Sequence, residues 1–326
     1  MTAGLPVVRF DISKLVPAYL TVNTVETLLR GRYAAVTRYR LPAARHALPC
    51  VRHSFDIAEH FSRHQPSFAG IMQDGTKRQV KTAVRVFDIV DKVQERDGAR
   101  LVDIADALDV SKSTAHQYLS TLVDLGYLKK VEQEYTLGHK FLNHGIHARK
   151  QYEITEVCRP TLENLVEETQ EMAWVTVEEQ GKAVYLDKVK GKRAVQTLAQ
   201  VGTSAHLHYL ASGRAMLASM SDEDVREIID RHGLPARTEE SITDTDALFD
   251  ELEEIHDRGY AINDGDATPG VRAVGASVTV NGDIYGAIAV TGPAHRLDEQ
   301  TLEEEIAKPV LSATNEIELK LGYQIE

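Results

Sequence analysis

The pattern of apolar and polar positions becomes regular after residue 76 and predicts three helices followed by a β-hairpin. The apolar face of the first helix, which ends at the Asp97-Gly98 turn signal, comprises Val80, Ala83, Val84, Phe87, Val90 and Val93. The second helix places Leu101, Ile104, Ala105 and Leu108 at the i, i+3, i+4, i+7 spacing. In the third helix Ser111 is a suitable N-cap, and the predicted buried residues are Ala115, Leu119, Leu122 and Val123. Two short strands around Glu132-Gln133 complete a winged helix-turn-helix.

After residue 153 the chain alternates between helical and strand patterns. Helices are predicted over residues 156–170, 207–220, 222–232, 245–258 and 298–321, with a kink expected at Pro309. Strands are predicted over residues 172–177, 183–189, 195–199, 274–280 and 284–291. The last two strands meet at Asn281-Gly282, the strongest short signal for a hairpin. This mixed order predicts an α+β fold, in which the winged helix-turn-helix precedes an α/β domain with one antiparallel sheet.

Residues 1–71 show only brief periodicity and divide the chain into an extension and three further regions. They are rich in Arg and are interrupted by Pro6, Pro17, Pro42, Pro49 and Pro66. We expect an unstructured extension, with Met72 as the natural start, and a small ordered domain as the alternative. The further regions are a DNA-binding domain over residues 72–137, a linker helix over 138–152, and an effector-binding and oligomerisation domain over 153–326.

The net charge of −12 is distributed unevenly along the chain. Residues 1–71 carry 9 Lys and Arg against 4 Asp and Glu, and residues 72–150 carry 13 against 11. Residues 151–326 carry 15 against 34. This contrast predicts two domains with different partners, and the acidic surface suits a chain that lives in high salt.

Several classes of protein are excluded by what the sequence lacks. No apolar run approaches the roughly 20 residues of a membrane-spanning helix, and two cysteines, Cys50 and Cys158, cannot build a disulfide framework. Neither a Gly-x-Ser-x-Gly elbow nor a phosphate-binding glycine loop occurs. The histidines His139, His144, His147, His206 and His208 lack the spacing of a known zinc motif. We therefore expect a cytoplasmic protein with no membrane contact, no cofactor, no metal and no catalytic residues.

The third helix has the composition of a DNA recognition helix. Its outward polar residues are Lys112, Ser113, Thr114, His116, Gln117 and Ser120. Gln can read adenine and Lys can bond guanine, while hydroxyl groups serve phosphates. Lys129 and Lys130 follow where a wing would meet the DNA backbone, and residues 110–121 contain no acidic residue. These eight residues are the predicted DNA contacts; the alternative is a bundle of this shape that contacts protein.

Residues 76–326 resemble the IclR family of transcriptional regulators. The resemblance rests on residues 80–87 and 103–105, on the recognition helix over 111–119, and on Leu125-Gly126-Tyr127-Leu128. In the second half it rests on residues 208–218, 259–261 and 269–272 and on Gly292-Pro293, which follow in the order of the family. It implies a GAF-like effector domain, a homodimer or dimer of dimers, and ligands that are small acids or sugar-pathway intermediates. Ala273, Ser277 and Asp266 depart from the Cys, Pro and Glu of many relatives, so the ligand of a relative should not be transferred.

The effector pocket is expected between the sheet and residues 202–212, closed by the loop over 263–275. The candidate donors are His206, His208, Ser212 and Ser277, and the candidate hydroxyl acceptors are Asp264 and Asp266. We thus predict a DNA-binding transcriptional regulator whose affinity for a palindromic double-stranded operator is modulated by a small-molecule effector, an organic acid or a sugar-catabolism intermediate. The alternatives are an enzyme or a structural DNA-binding protein that senses no ligand.

Overall fold

The computed structural model describes residues 80–194 and 199–325. The predicted extension over residues 1–71, and all of the predicted strand 195–199 except Ala199, lie outside the described residues. Ala199 itself is not in a strand. The first elements are α1 (Lys81–Glu95), β1 (Ala99–Arg100), α2 (Leu101–Ala107), α3 (Lys112–Asp124), β2 (Leu128–Val131), β3 (Glu134–Leu137) and α4 (Lys140–Arg149).

The first part of the chain is the winged helix-turn-helix that the sequence predicts. Its core joins the three helices to the strands through Ile89, Ile104, Leu119, Leu128 and Tyr135. The Ser111 hydroxyl caps α3 by accepting a hydrogen bond from the backbone N–H of Thr114 at 3.1 Å. The predicted hairpin gains β1, so that the wing is an antiparallel sheet of order β1-β3-β2. A strand of two residues is too short to show a period of two.

The N-terminal half of α1 corrects one prediction of burial. Val90 and Val93 are buried as predicted, together with Ile89, which the predicted face did not include, whereas Val80 and Phe87 are 70% and 62% exposed. Val84 is also exposed, and the three residues share one face of the helix. The periodicity correctly identified an apolar face. It could not show whether another segment of the same chain covers that face.

The linker helix α4 occupies the middle of the predicted segment 138–152 and contains no buried residue. Near its start, His144 stacks on Tyr127 of the winged helix at 5.7 Å between ring centroids, and Phe141 meets the same ring edge-on. Near its end, Arg149 reaches Asp187 in the following domain at 3.4 Å. The helix therefore contacts both parts of the chain that it joins.

The second part is a six-stranded antiparallel sheet with helices on both faces. Its strands are β4 (Met172–Glu179), β5 (Lys182–Lys190), β6 (Ser204–His206), β7 (Ala261–Asp264), β8 (Val271–Val280) and β9 (Asp283–Pro293), in the order β6-β5-β4-β9-β8-β7. Its helices are α5 (Ile154–Thr169), α6 (Ala211–Leu217), α7 (Asp222–His232), α8 (Thr245–Arg258), α9 (Glu299–Thr301) and α10 (Lys308–Ile325). The edge strands β6 and β7 were not predicted because three or four residues carry little periodicity.

The two faces of this sheet bury different side chains. Toward α5 and α10 the strands present large aliphatic residues such as Val175, Ile288 and Val290. Toward α6 and α8 they present small ones such as Ala183, Ala273 and Ala287. Successive residues of a strand point to opposite faces, so this segregation follows from alternation along β8 and β9. The small-residue face lets a helix approach closely and leaves room for a cavity.

Two predicted helices are divided in the structure. The predicted helix 207–220 is a 3₁₀ turn over Leu207–Tyr209 followed by α6, because Gly213 lies against the Leu207 backbone and Gly275 lies against Ser212. The predicted helix 298–321 contains a π-helical stretch over Leu302–Ala307, which ends two residues before Pro309. Proline cannot donate a hydrogen bond inside a helix, which explains irregular bonding one turn earlier. Across the described ranges, no helix is both long and apolar enough to cross a bilayer.

Candidate functional site

The outer face of α3 presents the predicted DNA-contacting residues unequally. Lys112, Ser113, His116 and Gln117 are exposed, and the side chains of these four form no hydrogen bond with other described residues. Thr114 and Ser120 are half-buried: the Thr114 hydroxyl lies 2.9 Å from the Ser111 hydroxyl, and the Ser120 hydroxyl donates to the Gln117 carbonyl at 3.1 Å. The first four side chains are thus free to meet a partner, whereas the other two already serve the helix.

The wing separates the two predicted lysines. Adjacent residues of a strand point to opposite faces, so Lys129 and Lys130 on β2 cannot reach the same surface. Lys130 Nζ lies 5.4 Å from the centroid of the Tyr135 ring, where the aromatic face attracts the cation. Lys129 is exposed and has no charged or aromatic partner among the described residues. Lys129 is therefore the lysine of the pair that is available to a phosphate.

A cavity of about 270 Å³ lies on the small-residue face of the six-stranded sheet. Three aromatic rings contribute to its wall, those of Trp174, Tyr185 and Tyr209. Much of the remaining surface is alanine, contributed by Ala199, Ala205, Ala211, Ala267, Ala273 and Ala289. The polar residues of the lining include Thr203, Ser204, Ser212, Arg237, Asn263 and Thr268. The cavity lies where the sequence places the effector pocket, between the sheet and residues 202–212.

Of the six predicted effector residues, only Ser212 lines this cavity. His208 is turned away from it, and its Nε2 lies 3.1 Å from the Pro235 carbonyl. His206 is half-buried and stacks edge-on against His208 and His232, with ring centroids 5.6 and 6.0 Å apart. Burial is the largest cause that lowers the pKa of both His206 and His208. Within the described ranges, no group of three or more His, Cys, Asp or Glu residues is arranged to hold a metal ion.

Asp264, Asp266 and Ser277 also lie outside the lining, because each has a partner elsewhere. Asp266 is buried and receives two hydrogen bonds from the Arg214 guanidinium at 3.2 and 3.3 Å. Asp264 receives two from Arg272, and these bonds are the largest cause that lowers the pKa of Asp264. The Ser277 hydroxyl lies 2.7 Å from the Ser219 hydroxyl. The expectation that these side chains converge on a ligand is therefore replaced by a set of internal contacts.

Arg237 is the lining residue that sequence reasoning missed most clearly. It lies in the irregular segment over residues 235–241, where neither a helical nor a strand period draws attention to a single side chain. Hydrogen bonds hold this segment against the loop after β7: the Thr238 hydroxyl donates to the Gly265 carbonyl at 3.0 Å, and the Ser241 hydroxyl donates to the Asp266 carbonyl at 2.9 Å. Trp174 is buried, and its ring also borders the cavity.

Comparisons with known proteins agree with both halves of this architecture. The IclR helix-turn-helix domain model matches residues 82–132, and the model of the bacterial transcriptional regulator IclR C-terminal domain matches residues 146–319. The probable HTH-type transcriptional regulator ArcR of Halobacterium salinarum is 29% identical over 256 residues, which cover 76% of this chain and 96% of the relative. The transcriptional repressor IclR of Escherichia coli is 26% identical over 255 residues, covering 75% and 91%.

Solved structures show the same fold. The crystal structure of the Thermotoga maritima IclR superposes with a TM-score of 0.67 at 26% identity, covering 75% of this chain and 100% of that one. An IclR homologue from Microbacterium hydrocarbonoxydans, solved in complex with 4-hydroxybenzoate, superposes with a TM-score of 0.63 at 23% identity, covering 74% and 97%. Since the C-terminal model alone matches more than half of the chain and the helix-turn-helix model matches the domain before it, this chain belongs to the IclR family of transcriptional regulators.

Proposed function

We propose that this regulator binds a palindromic operator as a homodimer and that a small metabolite in the cavity changes its affinity for DNA. The observation that carries the proposal is one chain holding both a free, acid-poor recognition face on α3 and a cavity of about 270 Å³ in a separate domain. A domain used only for dimerisation has no need of such a cavity. Helix-turn-helix dimers read two half-sites about one turn of DNA apart, which motivates the palindrome.

The DNA contacts proposed here are divided by the availability of each side chain. Gln117 and Lys112 contact base edges. Ser113, His116 and Lys129 contact the DNA backbone. Thr114, Ser120 and Lys130 are secondary contacts, since each already has an intramolecular partner. Lys112 and Ser113 open α3, where the free backbone N–H groups of a helix start also favour a phosphate.

Dimer formation is supported by the apolar surface that the winged helix-turn-helix leaves open. Val80, the N-cap residue of α1, is exposed, as are Val84 and Phe87 on α1 and Leu142 and Ile146 on α4. Large exposed apolar patches mark protein interaction sites more often than a free surface. A second copy of the chain would cover this surface and place two recognition helices in one complex.

The linker helix is the proposed route between ligand and DNA. It contacts Tyr127 at one end and Asp187 at the other, so a shift of the sheet can alter the seating of the winged helix. Linkage requires that ligand and DNA change the affinity of the protein for each other by the same factor, typically equivalent to about 1–3 kcal/mol.

The experiment is a gel shift at fixed salt with the full chain, on an operator selected from random DNA. Gln117→Ala should weaken binding by about 1–3 kcal/mol and relax the base preference at one position of each half-site. Lys129→Ala should weaken binding to all sequences alike and reduce the salt dependence, because it removes a phosphate contact. Lys182→Ala, in the other domain, is the matched control. If Gln117→Ala and Lys129→Ala both keep full affinity and full base preference, α3 and the wing do not contact DNA as proposed.

A further inference from the structure

The proposed effector cavity has a positive charge in its lining, although the domain around it is strongly acidic. Among the described lining residues, Arg237 is the one with a charged side chain. Its Nε donates to the Ala267 carbonyl at 2.9 Å, and its guanidinium carbon lies 5.6 Å from the centroid of the Tyr209 ring. Both terminal amino groups are without a hydrogen-bond partner among the described residues. An arginine held in this way presents the two parallel N–H groups that match a carboxylate.

The walls beside Arg237 are aromatic. Trp174 and Tyr185 form an edge-to-face pair with ring centroids 4.9 Å apart, and the cation of Lys188 lies 5.0 Å from the Trp174 ring. Tyr209 supplies the ring under the guanidinium and is itself buried. Aromatic rings prefer offset or edge-on contacts with other rings, so this lining favours a planar π-system over a saturated chain.

The size of the cavity restricts the ligand further. A cavity of about 150 Å³ holds one benzene molecule, which gives roughly 25 Å³ for each non-hydrogen atom. A volume of about 270 Å³ therefore suits a ligand of about 11 non-hydrogen atoms, one substituted ring rather than two. The hydroxyls of Ser212 and Tyr185 have no hydrogen-bond partner among the described residues, so they can bond a polar substituent on the ring.

Resting on the proposed sensing function, we propose that this cavity binds a compact aromatic carboxylate, with its carboxylate on Arg237 and its ring against Trp174, Tyr185 and Tyr209. Arg237 sets the class of ligand because it supplies the charge that this anion needs within a domain of opposite sign. The loop contacts of Thr238 and Ser241 keep the arginine in place before the ligand arrives. Ser212 and Tyr185 then select among ring substituents.

The test uses three probes of nearly the same shape on the full chain: benzoate, benzamide and cyclohexanecarboxylate. Binding is measured by calorimetry and by thermal shift. Benzoate should bind most tightly, and benzamide about 10–100-fold more weakly, since it loses a charge-assisted hydrogen-bonded pair. Cyclohexanecarboxylate should bind at least several-fold more weakly than benzoate, because it keeps the charge and loses the ring–ring contacts.

Variants separate the anchor from general effects on the fold. Arg237→Gln should reduce benzoate affinity about 10–100-fold and remove the preference for benzoate over benzamide, while Arg237→Lys should retain part of both. Arg226→Gln is the matched control, since Arg226 also lies over an aromatic ring, Phe249 at 4.6 Å, on an exposed surface away from the cavity. Melting of each variant without ligand shows whether it is folded.

The possible outcomes distinguish a failure of the aromatic-carboxylate inference from a failure of the proposed sensing function. Equal binding of benzamide and benzoate, or an unchanged affinity in Arg237→Gln, overturns the anchor. Equal binding of cyclohexanecarboxylate overturns the aromatic class. If a panel of aliphatic acids and sugars shifts both melting and DNA affinity where benzoate does not, this inference fails and the sensing function stands. If no compound of either class binds, both fail.

Discussion

The recognition face and the effector cavity present polar groups in different ways, the first from one continuous segment and the second from many separate segments. The recognition face comes from nine consecutive positions, residues 112–120, on one helix. The cavity lining comes from residues scattered between Trp174 and Thr291. A helix places side chains at fixed angles, so one periodic segment determines the whole face. The cavity exists only because several strands, loops and a helix pack together and leave a space.

This difference predicts how each region responds to substitution. A change on the exposed face of α3 removes one contact and leaves the helix intact, since surface changes usually alter stability little. A change at a buried charged or tightly packed residue beside the cavity alters packing, buried charge or loop position together. The strongest test of the comparison is therefore the buried ion pair of Arg214 and Asp266, since Asp266 directly precedes the lining residue Ala267.

Arg214→Ala should have the largest effect on stability. The Arg214 and Asp266 side chains are 4% and 7% exposed, so truncating Arg214 leaves the Asp266 charge buried with the Asp264 backbone N–H but without an opposite charge. We expect a loss of about 3–5 kcal/mol in the free energy of unfolding, measured with denaturant. Asp264→Ala is the control, because the Asp264 side chain is 57% exposed beside Arg272 and its loss should cost about 0–1 kcal/mol. If both variants lose a similar free energy of unfolding, the buried ion pair does not contribute more to stability than the exposed one.

Two alanines on one face of β9 sharpen the comparison between cavity and packed core. Ala289 lines the cavity, whereas Ala287 is fully buried in the neighbouring core. Ala287→Leu should destabilise the domain by about 1–3 kcal/mol through overpacking. The leucine of Ala289→Leu has open space to fill, so the free energy of unfolding should stay close to that of the wild type. The same side chain should block the cavity and remove the effect of ligand on DNA binding. A normal ligand response in Ala289→Leu, seen by gel shift, would show that the ligand binds elsewhere.

The smallest expected effect is a pH dependence from His208. Because burial lowers the pKa of folded His208 below its ordinary value near 6.5, the unfolded chain takes up the proton first as pH falls. Stability should therefore decrease below about pH 6.5 and level off only below the folded pKa. His208→Asn should make the melting temperature less sensitive to pH over this window. His206→Asn should do so to a lesser extent, since His206 is half-buried. If the melting temperature of both variants depends on pH as in the wild type, these two histidines do not cause the loss of stability at low pH.

Local signals in the sequence predicted much of the fold correctly. Ser111 begins α3 with the expected cap, and the Asn281-Gly282 hairpin forms with φ values of 54° and 89°, as its primed turn requires. The predicted helices over 222–232 and 245–258 have the same limits in the structure. Each of these features depends on hydrogen bonds or side-chain spacing within a few residues. Such interactions operate wherever the segment lies in the molecule.

The candidate effector site could not be predicted at the same level. His208 and Asp266 are polar and close in sequence to cavity residues, yet Pro235 and Arg214 occupy their polar groups. Ser212 was identified from the family-like stretch over residues 208–218, and in the structure Gly275 of β8 packs closely against it. Arg237 carries no local signal. Its importance depends on Tyr209 and Ala267, which are distant in sequence.

The sequence by itself determined the winged helix-turn-helix, the polar composition of its third helix, the hairpin at residue 281 and the acidic charge of residues 151–326. Only the tertiary structure decided that the α1 face around Phe87 stays exposed, that Lys129 and Lys130 have different partners, and that Arg237 lines the cavity. The physical reason is the range of the interactions. Caps, turns and helical periods act between near neighbours, whereas burial, ion pairing and cavity shape depend on which distant segments meet.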